Sequence, residues 1–129
     1  MDDTKWKVFF LLSRRLLGEG DSDPSLSTSW CAYTTFSSLG HGVYYFNSGF
    51  PEIEHCLDSC IADGSTWRQS IRYDDLAHIV IPAAFYWEKV GDVFSCGYKE
   101  QDIVALASEL TRHNIEHRIT DQVLEIKLY

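Results

Sequence analysis

Between Arg15 and Arg68 the sequence has no lysine or arginine. The stretch Leu16 to Trp67 instead holds seven acids: Glu19, Asp21, Asp23, Glu52, Glu54, Asp58 and Asp63. Outside it twelve acids and eleven bases almost cancel, so nearly all of the formal net charge of -8 comes from this one segment. Sequence-independent affinity for DNA or RNA comes from Lys and Arg displacing condensed counterions, and a chain with a pI near 4.9 is poorly suited to it. The same shortage of bases argues against docking on anionic lipid. A basic macromolecular partner, or no charged partner at all, is left. Clustering in sequence need not mean clustering in space, and a solvated face and a binding face both fit the pattern.

Long apolar runs are missing too. Val8 to Leu12 is the longest near the N-terminus, and Ser13-Arg14-Arg15 ends it short of a signal-peptide core or a span of about 20 residues. A cytoplasmic protein is expected. Four cysteines, Cys31, Cys56, Cys60 and Cys96, are too few and scattered for a secreted disulfide framework, so reduced thiols are expected. What is present is 45% hydrophobic and 14% aromatic content, which disfavours disorder. No repeat, low-complexity tract or linker interrupts the 129 residues, so residues 1–129 are expected to form one compact domain.

The spacing predicts an α+β fold, mainly an antiparallel twisted sheet packed by about three helices. The first spans residues 3–17, with Asp3 or Thr4 as cap, Trp6, Phe9, Phe10, Leu16 and Leu17 on one side and Gly18 as the stop. Gly18 to Ser25 reads as a flexible loop. Strands follow around Thr28 to Phe36 and Val43 to Phe46, joined at Gly40-His41-Gly42, with Trp30, Ala32 and Phe36 alternating. A second helix is expected over 51–62, because Ile53, Cys56, Leu57, Cys60 and Ile61 recur at helical spacing behind Pro51. Such a helix turns Glu52, Glu54, His55, Asp58 and Ser59 outward on a face without a base. Further strands at 69–73 and 76–81, a hairpin around Gly91, a third helix over 100–113 stopped by Asn114, and a C-terminal hairpin at 115–128 complete the expectation.

Motifs for chemistry are scarce. Cys56-x3-Cys60 and His113-x3-His117 have zinc-like internal spacing, but the two halves lie far apart and the cysteines fall on an apolar stripe, which favours core packing. No metal or cofactor is expected. No serine sits in a G-x-S-x-G elbow, and Gly18-Glu19-Gly20 lacks the third glycine of a phosphate loop. Asp74-Asp75 reads as a cap or turn before Leu76 rather than an acid-base pair. His41, between two glycines, is the histidine best placed for close approach of a ligand, although a plain hairpin turn also accounts for it. No motif supports an enzyme. Trp30, Tyr33, Tyr44, Tyr45, Phe46, Phe50 and Trp67 share the base-free stretch with the acids. Any of them left at the surface beside carboxylates would suit a binding hot spot.

Small size, acidity, an α+β pattern, an acidic segment and the start Asp3-Thr4-Lys5-Trp6 ahead of an apolar helix carry a resemblance. The chain resembles bacterial immunity proteins that neutralise polymorphic toxins, including those of contact-dependent growth inhibition. The resemblance implies an inhibitor that covers a basic toxin domain, often a nuclease. The expected contacts are Glu52, Glu54, His55 and Asp58, with Asp21 and Asp23 from the loop. Two rivals remain open: a small ligand-binding domain or enzyme with a pocket near His41, and a phage-type acidic inhibitor of a nucleic-acid-processing complex.

Overall fold

In the computed structural model, which describes residues 1–129, helix α1 (Asp3–Leu17) starts one residue ahead of the expected cap. Asp2 Oδ1 accepts a 2.8 Å hydrogen bond from the Lys5 N–H, satisfying one of the free amides of the first turn. Gly18 ends the helix with φ at 94°, a conformation that favours glycine, and its N–H donates to Arg14 O. The buried stripe is Trp6, Phe9, Phe10, Leu12, Ser13 and Leu17.

Strand β1 (Cys31–Thr35) runs into a four-residue helix α2 (Phe36–Leu39), and β2 (Phe46–Ser48) returns beside it. Two short strands, β3 (Cys60–Ile61) and β4 (Ile71–Arg72), pair separately. Then come β5 (Leu76–Pro82), the hairpin β6 (Ala84–Lys89) and β7 (Ser95–Glu100), α3 (Ile103–Arg112), β8 (Arg118–Ile119) and β9 (Val123–Lys127). The main sheet is antiparallel throughout, in the order β2-β1-β5-β9-β8. The fold is α+β in one small domain, as the sequence predicts, and no helix is long and apolar enough to cross a membrane.

Side chains alternate across each strand, so the register sorts the sheet into two faces. Tyr33, Ile79, Ile81, Leu124 and Ile126 join α1 and α3 in a single apolar core. Phe10 is its centre: its ring lies 5.2 to 6.2 Å from those of Phe9, Trp6, Phe50, Trp67 and Tyr73. Truncating a ring so enclosed costs about 3–5 kcal/mol.

Three expectations are corrected. The helix over 51–62 does not form. Glu52 is extended, Ile53–His55 make one 3-10 turn, Leu57 N–H donates to Cys60 O, and Cys60 and Ile61 pair with Arg72 and Ile71. Cys56, Asp58, Ser59 and Cys60 are weak helix formers, and strand pairing outweighs a periodicity that only Cys56 and Ile61 use fully. Ile53 and Leu57 stay about half exposed. In β1 the core face carries Cys31 and Tyr33 rather than Trp30 and Ala32, and Phe36 opens α2 instead of ending a strand. The third helix begins at Ile103, capped by Asp102 Oδ1 on the Ala105 N–H at 3.0 Å. Asn114 does take the expected left-handed turn, with φ at 56°.

The segment 18–25 is a loop closely packed along its length. Asp21 N–H donates to Ser27 Oγ, Gly49 N–H donates to Asp21 O, and Thr28 and Ser29 both donate to Glu19 O. Gly20 lies so close to the Phe50 backbone that no Cβ would fit.

Candidate functional site

The base-free stretch of sequence is not base-free in space. Lys7, reaching over from α1, sets its Nζ 2.6 Å from Asp58 Oδ1 and holds that carboxyl below the usual range, first through the hydrogen bond and then through its charge. Glu54 is also held low, chiefly by a hydrogen bond with its own backbone N–H, with Glu52 next and smaller contributions from His55 and Arg14. His55 Nδ1 stands 4.0 Å from Glu52 Oε2, beyond hydrogen-bond distance, and makes no other hydrogen bond. The surface here mixes these acids with Lys7, Arg14, Arg15, His113 and the apolar Leu11, Ile53 and Leu57. The unneutralised helix face expected for Glu52, Glu54, His55 and Asp58 is therefore absent: there is no helix, and α1 supplies the bases.

Asp21 and Asp23 are occupied by their own loop. Asp21 Oδ1 accepts from the Asp23 N–H, and Asp23 Oδ1 accepts from both the N–H and Oγ–H of Ser25. Two distant bases close over them. Arg68, first after the gap, donates to Ser22 Oγ at 2.9 Å, and Lys99 Nζ donates to the carbonyls of Pro24, Ser25 and Ser27 at 2.8 to 3.1 Å. Cys56 is buried in the core, with its thiol pushed up to about 11 mainly by burial, and Cys60 stands in β3. His41 is exposed in the turn after α2, where its N–H donates to Ser38 O. Asp74 and Asp75 form a 3-10 turn before β5, as expected.

A polar chain crosses the sheet face away from the helices. His78 Nε2 lies 3.0 Å from Glu125 Oε2, His78 Nδ1 lies 2.6 Å from Tyr45 Oη, and Tyr45 Oη lies 3.0 Å from Tyr129 Oη. An ionised Glu125 only accepts, so with a neutral imidazole Nε2–H donates to it and Nδ1 accepts from the Tyr45 hydroxyl. Tyr129 then donates to Tyr45. His78 is only 8% exposed and lines none of the principal grooves, so the chain latches Tyr45 and Tyr129 onto the sheet.

The largest groove, of about 810 Å³, runs between α3, the start of β6 and the β8–β9 turn. Ala83, Ile103, Val104, Ala107 and Ile119 make it apolar, while Glu100, Asp102, Asp121 and His117 line it without a single lysine or arginine. The three carboxylates form no ion pair: Arg112 is taken by Glu109 at 2.9 Å, and Arg118 leans 3.7 Å from Glu125 on the other sheet face.

Ala84 and Glu100 belong also to the outer face of the β6–β7 hairpin, so groove and hairpin are continuous. One hairpin face grips the body. Phe85 stacks on Trp30 at 5.6 Å, Lys99 feeds the loop carbonyls, and Trp87 lies against Gly97, where an added Cβ would meet the indole at 3.2 Å. Gln101 fastens the base: its Oε1 accepts from Trp30 N–H, and its Nε2 donates to Trp30 O and Pro82 O, all at 2.9 Å. The opposite face presents the pairs Ala84 with Glu100, Tyr86 with Tyr98, and Glu88 with Cys96. Tyr98 is 74% exposed, and Val90, Val93 and Phe94 stand out at the tip.

None of these groove and hairpin residues is among those expected from sequence. A signal was present: Tyr86-x-Glu88 and Tyr98-x-Glu100 repeat one spacing in two strands, which sets each tyrosine and glutamate on one face. Comparison with family models, curated proteins and solved structures gives no match to this chain.

Proposed function

We propose that this protein is an acidic inhibitor of the immunity class, which holds a basic partner domain on the α3 groove and the adjoining outer face of the hairpin. The observation that supports the reading is the groove: three carboxylates without an ion pair around an apolar floor, with every lysine and arginine elsewhere. Carboxylates free of local counter-charges project their field outward and raise the rate of encounter with a basic surface, while desolvated apolar and aromatic side chains supply affinity. The partner in this reading is a basic toxin domain, for which a nuclease is the natural chemistry, met in the cytoplasm. Inhibition requires only that its nucleic-acid groove be covered, and no catalytic step.

The test is coexpression with the basic domain encoded beside the gene, followed by growth and binding measurements. Protection is expected, with association slowed about tenfold by Ser108→Lys with Asp121→Lys, two exposed groove positions. Absence of toxicity in that domain, or protection and association indifferent to both substitutions, would remove the reading.

A further inference from the structure

We propose that the outer face of the β6–β7 hairpin is a receptor for an arginine side chain of the partner, seated on the Tyr86 and Tyr98 rings between the carboxylates of Glu88 and Glu100. The inference rests on the basic-partner reading and names the group that is recognised.

Tyr86 and Tyr98 are directly opposite across the hairpin, with ring centroids 5.4 Å apart at 61°. The edge-to-face arrangement leaves one aromatic face open, and both side chains are exposed. Glu88 follows Tyr86 by two residues and Glu100 follows Tyr98 by two, in antiparallel strands. The carboxylates therefore lie at opposite ends of the tyrosine pair, each about 7 Å along the strand. Neither is ion-paired, because the two bases of the hairpin, Lys89 and Lys99, belong to the other face. The neighbouring Cys96 thiol, then partial burial and the Glu88 carboxylate, push the Tyr86 hydroxyl up to about 12, so the ring beside Glu88 is a neutral phenol.

A π-face with a carboxylate on either side suits a flat cation. Guanidinium stacks on the ring and donates in its own plane to a carboxylate at the ring edge, whereas ammonium is a more strongly hydrated point charge. Arginine is favoured over lysine on both counts. Continuity through Glu100 and Ala84 into the α3 groove gives the rest of a basic segment an acidic track to follow.

The experiment uses the intact protein and arginine amide as probe, followed through the ring resonances of Tyr86 and Tyr98. Saturable shifts are expected with arginine amide, at least threefold weaker binding with lysine amide, and none with citrulline amide, the uncharged isostere. Glu88→Gln with Glu100→Gln should weaken arginine binding at least threefold while leaving the amide spectrum elsewhere unchanged. Shifts that do not saturate, that citrulline amide reproduces, or that survive both substitutions and Tyr98→Leu would overturn the assignment. The outcomes separate cleanly. If arginine is not bound but Ser108→Lys with Asp121→Lys still slows partner association, the basic-partner reading stands without the receptor; if arginine is bound but neither groove substitution matters, that reading falls.

Discussion

Lys7 Nζ and Asp58 Oδ1 are 2.6 Å apart, an ion pair between residues 51 positions distant in sequence. Asp58 is almost fully exposed, so the pair is open to solvent and to salt. Its carboxyl should titrate below an ordinary aspartate. The folded-state pKa is depressed, so the stabilisation is present above the unfolded value and is lost as pH falls through the folded one. A carboxyl-detected NMR titration checks this: Lys7→Met or high salt should return Asp58 toward its normal midpoint.

Gly20 and Gly49 bring two backbone segments into contact. A Cβ on Gly20 would collide with the Phe50 backbone, and one on Gly49 with Ser27 Oγ and Gly20 Cα. Gly91, in the hairpin tip, has open space around it. Gly20→Ala should lose about 1–3 kcal/mol in urea unfolding. Gly91→Ala should leave the midpoint near that of the parent.

Gln101 acts as a length of strand built from a side chain, pairing both backbone groups of Trp30. Gln101→Ala leaves the Trp30 N–H without its partner in a part-buried site, at a cost of about 1 kcal/mol. Hydrogen exchange should show the Trp30 amide losing protection ahead of the strands of the main sheet.

Alkali should unfold this protein through its tyrosines. Burial pushes Tyr33 up to about 12, and burial with the neighbouring Tyr129 hydroxyl does the same for Tyr45. A raised folded-state value means stabilisation that is complete below the ordinary tyrosine range near 10 and lost as pH climbs toward 12. The urea midpoint should fall over that interval. Tyr33→Phe should flatten the fall, which denaturation at several pH values with absorbance near 295 nm would record.

Local signals were legible in the sequence wherever one element decides its own conformation. The α1 stripe of Trp6, Phe9 and Phe10, the Asn114 stop and the β6–β7 hairpin are of this kind. The segment 51–62 was not, because Cys60 and Ile61 are drawn into a ladder with Ile71 and Arg72 that no local window contains. The site suffered from the same limit. Charge counted along the chain drew attention to Leu16 through Trp67, yet Lys7, Arg14, Arg68 and Lys99 all come back to that region from outside it. The unbalanced acids Glu100, Asp102 and Asp121 sit where the sequence tally is close to neutral. They meet only because β7, the start of α3 and the β8–β9 turn converge.

Strand order also governs when the protein can exist. β9 lies between β5 and β8, so one edge of β5 stays unpaired until the segment around Ile126 has been synthesised, and β1 pairs with β5 across forty intervening residues. Contacts so distant in sequence make folding slow and leave apolar strands uncovered during translation. The main sheet is therefore complete only once β9 has been synthesised. In the inhibitor role proposed above, a standing pool of finished chains would be needed, so chaperone supply and protein lifetime would set how much inhibitor is ready to act.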